Sequence, residues 1–269
     1  VSNRIPSPVE TLAGCSWSWH APAAWLMVAL MVAGNAAAAE PAVESAAASN
    51  ATAFRVRIQI LDADTDRPLD QHLVLTDGVR FYDFALNDPH DVTVIDPASG
   101  VVTLLSRENQ VKATVATQAI LATTAQVRAQ ATERDLESRL GITVQPTKKD
   151  NTYSLAFAGY RYEATAAVPS DPMLSPQFAE FTQWAARVNL VRELGPPPFA
   201  RMTLGQQIAA DSLLPETVTL SCTSETVHRK FLSRYNYEVG LSQADQKRIA
   251  EVGEMITLYR EVPLKSFPR

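Results

Sequence analysis

Cysteine is almost absent, with Cys15 and Cys222 the only two in 269 residues. A disulfide-stapled scaffold is therefore excluded, and stability has to come from packing. Basic residues do not exceed acidic ones, 24 Lys+Arg standing against 29 Asp+Glu for a net charge of -5. That balance argues against an extended nucleic-acid-binding surface. No unbroken apolar run approaches the about 20 residues of a bilayer-spanning helix, which argues against a multi-span membrane protein. Also missing are a Gly-x-Ser-x-Gly elbow, a Gly-x-x-x-x-Gly-Lys loop, a dinucleotide fingerprint, a C-x-x-C pair and the H-x-x-x-H or H-E-x-x-H spacings of metal sites. Without any of these the chain reads as non-enzymatic and cofactor-free.

What is present is a globular composition, 46% hydrophobic and 20% charged, long enough for a sizeable core. The apolar run Ala24 to Ala33, followed by Gly34-Asn35 and Ala36-Ala37-Ala38-Ala39, has the length of a secretory h-region with a small-residue cleavage site. Cleavage is expected after Ala39, with an uncleaved helix from about Ala21 to Ala39 as the alternative. The expected location is thus exported, periplasmic or secreted, with membrane contact only through the signal segment. Leu12-Ala13-Gly14-Cys15 has the letters of a lipobox, but Cys15 precedes the apolar run instead of following it, so the motif is read as a decoy. Residues 40–53 carry almost no large apolar side chain and are expected to be a flexible spacer. A single α+β domain is expected over 54–269.

Period-two alternation opens that domain. Phe54, Val56, Ile58 and Ile60 share one strand face, with Arg55, Arg57 and Gln59 on the other. Short turns at Thr76-Asp77-Gly78 and Asp96-Pro97-Ala98-Ser99-Gly100 imply an antiparallel meander through Leu105. A helix is expected from about Glu108 to Leu140, then a hairpin through Tyr153, Phe157, Gly159 and Tyr162. A second helix is expected behind a Ser175 cap with Pro176 in its first turn, ending at Gly195, and a third from a Thr203 capping box. Strands near Glu216–Cys222 and Val227–Val239 should pair, and a Ser242–Asp245 capping box should open a last helix carrying Ile249, Val252, Ile256 and Tyr259 on one side. The expected architecture is an antiparallel curved sheet, half-barrel-like, with helices packed on one face.

Candidate chemistry is sparse. Asp62, Asp64 and Asp66 alternate like a calcium loop, but Arg67 and Leu73 stand where the turn glycine and the bidentate glutamate belong, so an Asp-rich turn capping local amides is expected. Asp88-Pro89-His90-Asp91 is read as a solvated loop in preference to a dyad. Arg229, Lys230 and Arg234 with His228 are read as solvated strand charges. Cys222 continues the face of Val218 and Leu220 and is read as a buried small hydrophobe. Tyr153, Phe157, Tyr160, Tyr162, Phe231, Tyr235 and Tyr237 lie on strands, where they line either a core or a ligand cavity.

The export signal, the strand-turn-strand run Val94-Ile95-Asp96-Pro97-Ala98-Ser99-Gly100-Val101-Val102-Thr103-Leu104-Leu105 and the hairpin Phe157-Ala158-Gly159-Tyr160-Arg161-Tyr162 resemble the LolA/LolB-like envelope proteins across roughly 54 to 168. The resemblance implies a half-barrel whose concave side is filled by helices, with a lipid, a lipoprotein acyl chain or another apolar small molecule held there. It implies no covalent chemistry and no cofactor. The alternative is an envelope structural or interaction module using the same sheet as an ordinary core, with the Ala-rich helix as its contact surface.

Overall fold

The computed structural model describes residues 52–224 and 228–268; the expected signal and nearly all of the expected spacer lie outside them. Six strands come first: β1 Phe54–Asp62, β2 Pro68–Thr76, β3 Phe81–Ala85, β4 Val92–Asp96, β5 Val101–Ser106 and β6 Val111–Ala116. Helices α1 Thr117–Glu133 and α2 Glu137–Leu140 lead to β7 Thr147–Lys149, β8 Thr152–Phe157 and β9 Tyr160–Ala167. Then follow α3 Leu174–Val191, α4 Phe199–Ala210, β10 Leu214–Thr223, β11 His228–Val239, α5 Gln243–Leu258 and β12 Arg260–Glu261.

All twelve strands join one open, curved sheet in the order β12-β6-β5-β4-β3-β2-β1-β11-β10-β9-β8-β7. Every pairing is antiparallel except β12 on β6, so the α+β class and the meander are as expected. The seam between the two halves is β1 on β11, in register from Phe54↔Val239 to Asp62↔Phe231. Irregular register at Ile60/Leu61 and at Pro215/Thr217 adds local bend and twist to the strands.

The alternation of each strand sorts its side chains between two faces. On one face Phe54, Val56, Val74, Phe81, Ile95, Val102 and Leu104 form a core with Ile120 of α1 and Phe178, Phe181 and Val188 of α3. The same face continues into Tyr153, Leu155, Tyr162, Val218 and Phe231, packed on Leu204 and Ile208 of α4. On the opposite face Leu73, Leu75, Tyr82, Phe84, Val94 and Leu105 pack against Val252, Ile249 and Ile256 of α5. The helices therefore divide between both faces, which corrects the expectation of a sheet covered on one face only. The reason is legible afterwards in β2 and β5, whose runs Leu73-Val74-Leu75 and Val101-Val102-Thr103-Leu104-Leu105 are apolar continuously and bury side chains in both directions.

Helix α5 starts where expected. Ser242 Oγ accepts from the Asp245 amide while the Asp245 carboxylate accepts from the Ser242 amide, satisfying two amides left unpaired at a helix start. Arg55 Nη1 reaches the same carboxylate at 3.3 Å, and at the far end Lys112 Nζ donates to the Ile256 carbonyl at 2.6 Å, a favourable place for a cation.

Three local expectations give way to tertiary packing. The first helix starts at Thr117, because Val111, Ala113 and Val115 alternate as β6 and pair with β5. Ser175 is no cap: α3 begins at Leu174 and ends before Gly195, and Ser175 Oγ donates to the Leu213 carbonyl at 2.6 Å. Thr203 lies inside α4, which starts at Phe199 directly behind Pro198.

The β8–β9 turn lies close against the end of β10. Gly159 has φ +85°, and a Cβ there would collide with the Thr223 carbonyl oxygen, while the Thr223 amide donates to the Gly159 carbonyl at 2.8 Å. Gly159→Ala is expected to destabilise the fold by about 1–3 kcal/mol, read as a lower urea midpoint with unchanged slope.

Candidate functional site

The seven strand aromatics all point to the face that carries α1, α3 and α4. Tyr153, Phe157, Tyr160, Tyr162 and Phe231 are buried around α4 together with Cys222, which forms no disulfide. Tyr235 and Tyr237 are half-buried and stack on each other at 6.3 Å, and both meet the edge of Phe178 from α3, at 5.7 and 5.2 Å. Phe157 stacks on Tyr160 at 5.3 Å. Such offset and edge-on pairs add to burial, so most of this aromatic surface is spent on packing. Burial also pushes the Tyr162 and Tyr237 phenols well above their ordinary range, holding both neutral.

Two shallow recesses lie between helices and sheet, each partly open to solvent and each with closed space of only about 10 Å³, roughly that of one water molecule. Ligand pockets for drug-sized molecules run to about 300–1,000 Å³, so in this arrangement neither recess admits an organic ligand unless the helices over it move. One lies under α1 and is apolar, lined by Val102, Leu104, Ile120, Val188 and Val191. The other lies between α3, α4 and the start of β10, with Phe178, Thr182, Arg201, Gly205, Ile208 and Leu213 in its wall.

Arg201 is the charged member of that wall. Its Nη2 donates a long 3.5 Å hydrogen bond to Tyr235 Oη, and its Nη1 is buried with no acceptor. No carboxylate among the described residues lies within ion-pair distance of it. One turn further, Gly205 occupies the interior of α4 although glycine there costs about 1 kcal/mol against alanine. A Cβ on Gly205 would stand 3.3 Å from Arg201 Nη1 and 3.5 Å from Thr182 Oγ1, so the glycine lets both side chains pack close against the α4 backbone. A second cation, Arg187 of α3, is pulled below its usual range by burial and by neighbouring Arg128 of α1. These two lie over the rings of Trp184 and Phe199 respectively, a placement worth up to about 1–2 kcal/mol each.

Titratable groups cluster at a second place that sequence reasoning missed. His72 on β2 places Nδ1 2.7 Å from Asp83 of β3 and Nε2 3.3 Å from Asp70. Asp70 and His72 alternate onto one strand face, a visible signal, but Asp83 arrives only through the β2–β3 pairing. Burial opposes charge on His72, and the carboxylates of Asp83 and Asp70 overcome it, so its pKa stands well above the ordinary value. No nucleophile accompanies this trio in the hydrogen-bond pattern, and its chemistry is that of a held imidazolium.

The remaining sequence candidates fall where bland readings put them. Asp62 Oδ1 accepts from the Asp64 and Thr65 amides at 3.1 and 3.0 Å, and Asp66 pairs with Arg234 at 3.1 Å. His90 turns to Asp88 at 3.2 Å and not to Asp91, and both partners are exposed. Lys230 and His228 are exposed on β11. Among the described residues no group of three or more His, Cys, Asp or Glu side chains is placed to hold a metal ion, and no helix is long and apolar enough to cross a membrane. Compared with known proteins, the sequence matches no protein-family profile and no curated relative.

Because the folded state raises the His72 pKa, the stabilisation is fully present below the unfolded value of about 6.5 and is lost as pH rises through the folded value. Urea midpoints of the wild-type protein are expected to fall across that window. His72→Gln should flatten the dependence, and an unchanged slope in the variant would assign it to other groups.

Proposed function

We propose that the protein is an exported, non-enzymatic carrier that binds an apolar ligand between the sheet and helices α1, α3 and α4. In this reading the sheet is a half-barrel, those three helices are its filling, and α5 stands outside it, as the LolA/LolB-like resemblance suggests. The observation that carries the proposal is the one-sided apolar and aromatic layer between the sheet and helices α1, α3 and α4, in which Tyr153, Tyr162, Phe231 and Phe178 lie. Export rests on the Ala24–Ala39 pattern of the sequence. An acyl chain of any length exceeds the present space, so its entry requires α1 or α4 to move outward. The weak stripe of α1, whose buried residues are Thr117, Ile120, Thr124 and Ala131, makes it the element with least to lose.

The second reading, an envelope interaction module with no ligand, is favoured by one observation: Tyr235, Tyr237 and Phe178 already satisfy one another edge to face. Native mass spectrometry of protein purified through its export route separates the two. A stoichiometric lipid mass, or saturable uptake of a fluorescent fatty-acyl probe, is the expected result. Empty protein that takes up no probe would leave the interaction module in its place.

A further inference from the structure

We propose that Arg128 of α1 and Arg187 of α3 form a surface site for a phosphate-type oxyanion, which bridges the two helices where they meet over Phe199. The inference goes beyond the apolar-ligand reading and does not depend on it.

Phe199, the first residue of α4, belongs to a small apolar cluster that joins Val127 and Ala131 of α1 to Leu190 of α3. Arg128 follows Val127 and lies with its Cζ 5.0 Å from the centre of the Phe199 ring. Arg187 stands one turn before Leu190 and lies with its Cζ 5.4 Å from the centre of the Trp184 ring. Each guanidinium is thus seated on an aromatic face instead of trailing into solvent, and the two flank one helix–helix junction. They feel each other: after burial, the charge of Arg128 is what holds Arg187 below its usual range. No carboxylate among the described residues pairs with either. Two like charges set across a junction push its halves apart, and an anion between them turns that repulsion into a link.

The pair is within reach of a ligand without any helix moving, since Arg128 is exposed and Arg187 half-buried. The chemistry of the donors narrows the class. A single guanidinium fork satisfies one carboxylate, whereas two forks from two helices suit a tetrahedral phosphate that offers oxygens on several sides. The chain as a whole carries a net charge of -5, so its general field disfavours anions and phosphate uptake has to come from a local arrangement. The phosphate is either free or the head group of a lipid, and both present the same oxygens.

Thermal melts and isothermal titration of the full-length protein with inorganic phosphate, at ionic strength held constant with sodium chloride, test the site. Phosphate is expected to bind one to one and to raise the melting temperature saturably, as a ligand of the native state does. Arg128→Gln and Arg187→Gln should each weaken phosphate by about tenfold or more, the step that one charge-assisted hydrogen bond gives, and Arg128→Lys, which keeps the charge without the fork, should fall between wild type and Arg128→Gln. Arg128 is exposed, so its variants keep the fold and carry the test even where Arg187→Gln does not. Flotation with phosphatidylcholine vesicles, with and without phosphatidic acid, separates the sources. Recruitment by phosphatidic acid that Arg128→Gln loses assigns a lipid phosphate, while phosphate binding without recruitment assigns a free one. No saturable effect of phosphate on the wild-type protein, or an effect equal in wild type and both glutamine variants, would overturn the inference. Neither arm reads acyl-chain uptake, so either result leaves the carrier reading to its own experiment.

Discussion

The whole architecture hangs on the pairing of β1 with β11. Phe54–Asp62 and Phe231–Val239 are far apart in sequence, yet they run in continuous antiparallel register and unite the N-terminal meander with the C-terminal strands. Without that seam the sheet separates into a part ending at β1 and a part beginning at β11. Such long-range pairing has a high loop-closure cost that only the later burial recovers. The burial at the seam is aromatic: Val56 faces Tyr237 and Ile58 faces Tyr235, and Phe178 closes over both tyrosines from α3.

From that seam the two faces take different roles. The face under α1, α3 and α4 spans the sheet from β6 to β8 and holds most of the strand aromatics, the two recesses and Arg201, while Tyr82 and Phe84 lie on the other face. The other face has one helix, α5, seated over β2 to β5 and held at its two ends by Asp245 with Arg55 and by Lys112. The remainder of that face turns charged strand residues such as Arg57 and Lys230 outward. Two-sided burial of β2 to β5 makes that part of the sheet the best-buried element of the fold.

Charge is distributed with the same asymmetry. Surface pairs such as Arg80–Asp96 and Arg234–Asp66 are worth little each. The groups held under constraint lie inside: His72 between Asp70 and Asp83, and Arg201 among tyrosines. The first is satisfied by the protein itself and is a stability element. The second has no protein acceptor for Nη1 among the described residues.

The sequence by itself determined the strands with clean alternation. β1, β8, β9, β10 and β11, the β8–β9 turn at Gly159 and the β4–β5 turn at Asp96–Gly100 follow from period-two burial and turn chemistry, and the α5 capping box follows from local hydrogen bonding. These are properties of neighbouring residues, so a linear reading reaches them. Only the tertiary structure decided the rest. β6 is a strand because β5 is there to pair with Val111, Ala113 and Val115, although an Ala-rich helix adjoins it. Ser175 serves Leu213 and not its own helix. α5 lies on the second face because β2 and β5 are apolar on both sides. Asp83 meets His72, and Arg201 finds no carboxylate, through contacts between segments distant in the chain. Local pattern fixes what each segment can become; which partner it meets, and which charge is left without one, is settled only when the sheet closes its β1–β11 seam.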